Sequence, residues 1–181
     1  SMRALAADSS NIARDAALVG MGAALTAGLA QVQVPWEPVP FTLQTLGVAA
    51  CGLTLGMRKA VAAQAAYLGM GIAGLPVFAG GKAGALVVFG PTGGYLVAFL
   101  FAAALLGWVS DRKWDRSPWK LGTSMAIALL GVLAFGTAWL AIGLGSWERA
   151  ATLGFLPFVL PEIMKAGFVA VGLPSLRRFL S

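Results

Sequence analysis

YLVAFLFAAALLGWVSDRKWDRSPWK, residues 95–120, decides the class of fold. Its first half is apolar without a break, and its second half crowds Arg112, Lys113, Arg116 and Lys120 into one short loop. A helix needs about 20 mostly apolar residues to cross a bilayer, and the run over 91–110 meets that length. Trp108, Trp114 and Trp119 stand where the character changes, as interfacial aromatic residues do.

The rest of the chain repeats the pattern. Of 181 residues, 59% are apolar and 11% charged, with a mean hydropathy of +0.82. A soluble domain carries about a quarter charged residues, so the composition reads as a membrane protein that crosses several times. Apolar runs predict six helices at 15–33, 42–57, 59–77, 91–110, 120–143 and 151–174, one all-α membrane domain over 1–181. The second run is short for a span. Ser1-Met2 reads as an expression scar, and the run after Arg14 lacks a signal-peptide layout and is expected to stay as a span.

Charge fixes an orientation. Arg3, Arg14, Arg58, Lys59, the four basic residues of the opening stretch, Arg177 and Arg178 fall at the termini and in alternate loops. The other loops hold only Lys82 and Arg149. By the positive-inside rule both termini are expected in the cytoplasm. The net charge of +6 is therefore read as orientation within the lipid bilayer and not as nucleic-acid binding. Histidine is absent and Cys51 is the single cysteine, which excludes a Cys/His zinc site, a haem histidine, a Ser-His-Asp triad and an internal disulfide.

Four stretches carry chemistry. In LPFVLPEIMKAG, 156–167, Glu162 and Lys165 lie three apart, on one face of the last helix. Charges within a span face the bundle interior or a cavity and mark sites by default, although a self-neutralising structural pair is the alternative. Pro161 is expected to kink the helix there. Between the first two spans, VPWEPVPFTLQT holds three prolines that deny a helix, and it leads to Gln44, an amide needing a partner inside a span. Thr42 is a candidate cap for the second helix. GPTGGY, 90–95, offers close backbone approach and free N–H groups at a helix start, or is simply a tight turn. It lacks the GK[ST] of a phosphate-binding loop, so no ATPase is expected in this chain. Finally, Ala16, Gly20, Ala24 and Gly28 recur every four residues, widened by Ala23 and Ala27. Such a ridge lets another helix approach, either a neighbour in the bundle or a partner subunit.

VPFTLQTLGV, GLPVFAGG, FGPTGGYLVAF and LPFVLPEIMK stand in an order that resembles the BioY family, the biotin-binding S components of energy-coupling factor (ECF) vitamin transporters. The resemblance runs from about residue 16 to 178. It implies six membrane helices that capture biotin near the outer surface of a bacterial or archaeal cytoplasmic membrane. It also implies a module of a transmembrane coupling protein and two cytoplasmic ATPases, so ATP is used by partners and no cofactor resides here. The ridge of the first helix would dock on the coupling protein, and Val34–Phe41 would be a lid. Glu162 and Lys165 fall on the family's ligand-contacting acidic-x-x-Lys motif, and Gly80, Gly81, Lys82 and Tyr95 come to the same end of the bundle. That family motif carries aspartate where this chain has Pro161-Glu162.

Biotin combines a carboxylate, a ureido group and an apolar bicycle. Lys165 suits the carboxylate, Glu162 and Gln44 suit the ureido N–H groups, and Phe41, Phe78, Phe89 or Tyr95 suit the rings. Which end meets the pair stays open at this level, as does self-association into a homo-oligomer. Competing readings are an S component or carrier for another small carboxylate vitamin, an ion-coupled carrier, and an intramembrane enzyme. The last finds no second catalytic constellation, and the carrier no internal repeat.

Overall fold

The computed structural model describes the backbone of residues 2–180 and the side chains of residues 11–172. Arg3, Arg177 and Arg178 of the charge pattern lie outside the described side chains. Each of the six apolar runs is helical. They correspond to α1 (Met2–Gln31), α2 (Gln44–Leu55), α3 (Met57–Ile72), α5 (Gly93–Asp111), α6 (Pro118–Leu144) and the bent pair α7 (Trp147–Gly154) and α8 (Leu156–Leu180). A five-residue helix α4, Ala85–Phe89, is added in the glycine-rich connection.

Among the described residues, three helices are long and apolar enough to cross a bilayer: α1 from Asn11, α5 and α6. The α7–α8 pair, bent by 41°, makes a fourth if it crosses as one. α2 is apolar but only 12 residues long, and α3 carries Arg58, Lys59 and Gln64. The sequence expectation of six helical segments is met, while length alone supports three or four crossings.

The bend is not where Pro161 led us to expect it. α8 runs on through Pro161, and the break falls at Phe155, φ −119° and ψ −65°. Pro157 has no N–H to offer the carbonyl of Leu153, four residues earlier. The Gly154 carbonyl is taken by the Tyr95 hydroxyl at 2.8 Å. Two successive carbonyls thus leave the helical ladder, and the chain turns there.

α5 is the central helix, packed against α2, α3 and α6. Glycines set the close approaches. A Cβ on Gly52 would meet Leu106, and one on Gly107 would strike the backbone of Met57. At this end Gly56 turns with φ +76°, and Asp111 accepts the Met57 N–H at 3.1 Å, satisfying one free donor at the start of α3. Arg112 stacks on Trp108 at 4.4 Å and Lys120 on Trp114 at 5.3 Å, so the basic loop is folded onto its own tryptophans.

The opposite end is built differently. Before α2 the chain forms a small antiparallel hairpin, β1 (Gln33–Val34) with β2 (Phe41–Thr42), in which Gln33 faces Thr42 and Val34 faces Phe41. The prolines at 35, 38 and 40 occupy the loop between the two strands and its return, where no ladder N–H is needed. Facing it is a 3₁₀ turn at Ala79–Gly81, with Gly80 and Gly81 both at φ +69°. That left-handed region favours glycine.

Candidate functional site

Hairpin, turn and the α8 pair converge on a cavity of about 710 Å³, mouth included. Phe41, Gln44, Phe78 and Lys82 line it from the hairpin, α2 and the turn; Tyr95, Glu162 and Lys165 complete it from α5 and α8. Seven of the ten residues offered to the ligand therefore share a single cavity, and Gly80, Gly81 and Phe89 are not part of its lining. The Gly81 N–H instead donates to Gln31 Oε1 at 3.0 Å, so its part is to hold the turn. Phe89 is 74% exposed and belongs to an apolar surface groove beside Trp139, so it covers nothing in the cavity.

The floor is a closed polar network. Glu162 and Lys165 have side chains 6% and 15% exposed and pair at 2.7 Å. The Lys165 ammonium also donates to the Thr42 carbonyl at 2.8 Å and to Thr45 Oγ1 at 3.0 Å. Thr45 in turn donates to Glu162 Oε2 at 3.0 Å. An ammonium has three protons, and here all three have acceptors. Lys165 thereby ties the end of the hairpin to α8, 123 residues away in sequence. Burying both charges costs desolvation, which only a complete set of partners offsets.

Gln44 donates to the Tyr67 hydroxyl at 2.6 Å and accepts from the Thr42 hydroxyl at 2.9 Å. The interhelical hydrogen bond anticipated for it exists, and it holds the amide at the cavity wall. The Thr42 hydroxyl also accepts the Gln44 N–H at 3.3 Å, one residue into α2, so Thr42 does serve that helix start. Phe41 and Phe158 stack with centroids 4.1 Å apart, and Trp36 meets Phe41 edge-on at 5.9 Å. These rings supply an apolar plate beneath the hairpin.

Thr45, Tyr67 and Phe158 were not selected from sequence. Tyr67 had a signal, since a hydroxyl inside an apolar run must find a partner. Thr45 sat beside Gln44 but its contact is with a residue 117 positions on, which no local pattern encodes. The glycines of GPTGGY take their plainer reading: Cβ atoms on Gly93 and Gly94 would collide with the Val88 carbonyl and Trp139.

On α1 the ridge divides. Ala16, Gly20, Ala24 and Gly28 are exposed, and a Cβ on Gly20 or Gly28 would meet nothing within 4 Å. Ala27 is half-buried. Ala23, 1% exposed, faces the core and offers no docking surface. Its place on the inward face follows from its neighbour Gly22, which packs on α2 and α3 near Cys51 and Ala63.

A helical membrane domain with a roofed cavity, an aromatic plate and a buried ionic floor defines a membrane protein that binds a small solute. The sequence pattern of the BioY family matches residues 2–181, and the chain belongs to that family. It is 40% identical over 169 residues to biotin transporter BioY2 of Lactococcus lactis subsp. cremoris (strain MG1363), covering 91% of this chain and 90% of that one. The identity to the biotin transporter BioY of Thermotoga maritima is 37% over 161 residues, covering 87% and 94%. The fold superposes with a TM-score of 0.79, at 26% identity and 93% coverage of both chains, on the crystal structure of the S-component for biotin from an ECF-type ABC transporter.

Proposed function

We propose that this chain captures biotin in the cavity under the 33–42 hairpin and serves biotin uptake as the substrate-binding membrane subunit of an ECF-type transporter. One observation carries the reading: in a BioY-family chain, the buried Glu162–Lys165–Thr45 network lines the cavity under the hairpin. The network gives acceptors and donors to a ureido ring, and Phe41 with Phe158 gives the bicycle an apolar face. The protein acts by transport and catalyses no reaction.

All six helical segments cross the cytoplasmic membrane of a bacterium or archaeon, the shorter α2 and α3 included, with both termini cytoplasmic. The cavity then opens outward, away from the basic loops. ATP is hydrolysed by two cytoplasmic ATPases, reached through a coupling protein that docks on Ala16, Gly20, Ala24 and Gly28 of α1. Close backbone approach is what such a stripe offers in lipid.

Binding of labelled biotin to detergent-purified protein tests the capture. Retention at micromolar or tighter concentration, displaced by unlabelled biotin and not by other carboxylate vitamins, is expected. Absence of retention by a folded preparation overturns it. Ala24→Trp tests the docking face: coupled uptake should vanish while binding persists, and loss of binding as well would return the stripe to internal packing.

A further inference from the structure

We infer that α5, α6 and the basic loop between them form a binding site for an anionic phospholipid. Arg112 and Lys120 hold the headgroup phosphate, and one acyl chain lies along the groove between the two helices. The site is on the outside of the bundle and does not depend on what the cavity under the hairpin binds.

The groove supplies the apolar half. α5 and α6 are two of the helices long and apolar enough to cross a bilayer. Between them runs a groove whose lining is apolar throughout, with Phe101 and Leu105 on one wall and Ile127, Gly131 and Phe135 on the other. Phe101, Ile127 and Phe135 are exposed, and the two phenyl rings stand 6.0 Å apart, one from each helix. A Cβ on Gly131 would meet nothing within 4 Å, so the groove is open there. At the depth of a membrane-crossing helix, such a groove meets hydrocarbon.

Helical register carries both walls to the basic loop. On α5, Phe101, Leu105, Trp108 and Arg112 follow at steps of four, three and four. On α6, Phe135, Gly131, Ile127 and Lys120 keep one face at steps of four, four and seven. Arg112 lies over Trp108 at 4.4 Å and Lys120 over Trp114 at 5.3 Å, and the two indoles meet edge-on at 5.1 Å. The cations thus flank one pair of rings. A ring face attracts their charge while leaving their N–H donors for an oxyanion. Neither has a salt bridge among the described residues. Of the nearby carboxylates, Asp111 accepts the Met57 N–H at 3.1 Å and Asp115 is buried. Positive charge at one end of an apolar groove complements an anionic amphiphile. A second copy in the same membrane would instead bring the same cations to the same depth.

The test adds phosphatidylglycerol, or phosphatidylcholine with the same acyl chains, to delipidated protein in neutral detergent. Native mass spectrometry counts bound lipid, and thermal unfolding reports its effect. The wild type should bind the anionic lipid about tenfold more tightly, the order of two partly screened cation contacts. Arg112→Gln/Lys120→Gln should bring that ratio near one, Arg112→Lys/Lys120→Arg should keep it, and high salt should narrow it in the wild type. Gly131→Leu fills the open part of the groove and should weaken both lipids about fivefold or more, with the ratio kept. An unchanged ratio in the glutamine pair overturns the headgroup assignment. Glycerol phosphate that reproduces the thermal shift would make the patch a site for soluble phosphate and overturn the lipid. Unmoved lipid affinity in Gly131→Leu overturns the chain seat, and a change of oligomeric state beside it would give the groove to a second copy. These last two arms decide the matter even if the glutamine pair fails to fold.

Discussion

Two ion pairs of the same chemistry sit at opposite ends of this bundle. Lys165 and Glu162 meet on α8 with side chains 15% and 6% exposed. Lys59 and Asp15 meet between α3 and α1, at the basic end, with side chains 36% and 50% exposed. The first is embedded in hydrogen bonds from Thr45 and to Thr42, whereas the second lies largely exposed on the surface of the bundle. Contact alone therefore says little about what a pair does. Partners and burial decide it, because a charge taken out of water must be fully satisfied and one left in water need not be.

The largest effect should come from removing one member of the buried pair. Lys165→Met leaves Glu162 charged and unpaired in a nearly closed site, a change that costs about 3–5 kcal/mol. Thermal unfolding in detergent should show the loss, and biotin binding should go with it. The double variant Glu162→Gln/Lys165→Met should recover most of the stability, since no lone charge remains, while binding stays lost. Recovery of binding in the double variant would reduce the pair to scaffold and break the contrast between the two ends.

Thr45→Val comes next. The shape is kept, but Lys165 loses one acceptor and Glu162 loses its Oε2 donor. One unsatisfied buried group costs about 1–3 kcal/mol. Biotin affinity should fall by a factor of ten or more, with the fold intact by circular dichroism. An unchanged affinity would mean that the network's completeness is not what sets the site.

Glu162 and Lys165 were legible as a candidate site because charges in an apolar helix are rare and their three-residue spacing is local. Gln44 was legible for a similar reason, as an amide that must be paired. What escaped was long-range: the Thr45 bridge spans 117 residues, and the bend at Phe155 needed Tyr95, from α5, to claim the Gly154 carbonyl. Pro161 is a helix breaker by composition, yet the break followed the place where tertiary partners took over the carbonyls. The α1 ridge shows the same limit. Helical periodicity found the stripe, but only packing separates Ala23, turned inward, from Ala24, turned outward. The span count was readable as helices and less so as crossings, since the 12-residue α2 is helical without being long.

The smallest effect belongs to the exposed pair, and it sharpens the comparison most. Lys59 and Asp15 have the short contact that on α8 lies at the cavity, and no third residue joins them among the described residues. An exposed pair of this kind contributes about 0.2–1 kcal/mol, less in salt, because ordering two flexible side chains and screening by ions offset most of the attraction. Lys59→Ala should lower the unfolding temperature by no more than a few degrees, an effect that shrinks as ionic strength rises, and biotin affinity should not move. The cavity lies at the far end of the bundle, and the Lys59 backbone stays held within α3. If Lys59→Ala instead cost as much as Thr45→Val, burial would not be the property that separates the two ends. The basic end would then have to hold a structural role through that pair. A null result on binding with a small, salt-sensitive loss of stability keeps function at the buried end, where every polar atom of the pair has been given a partner.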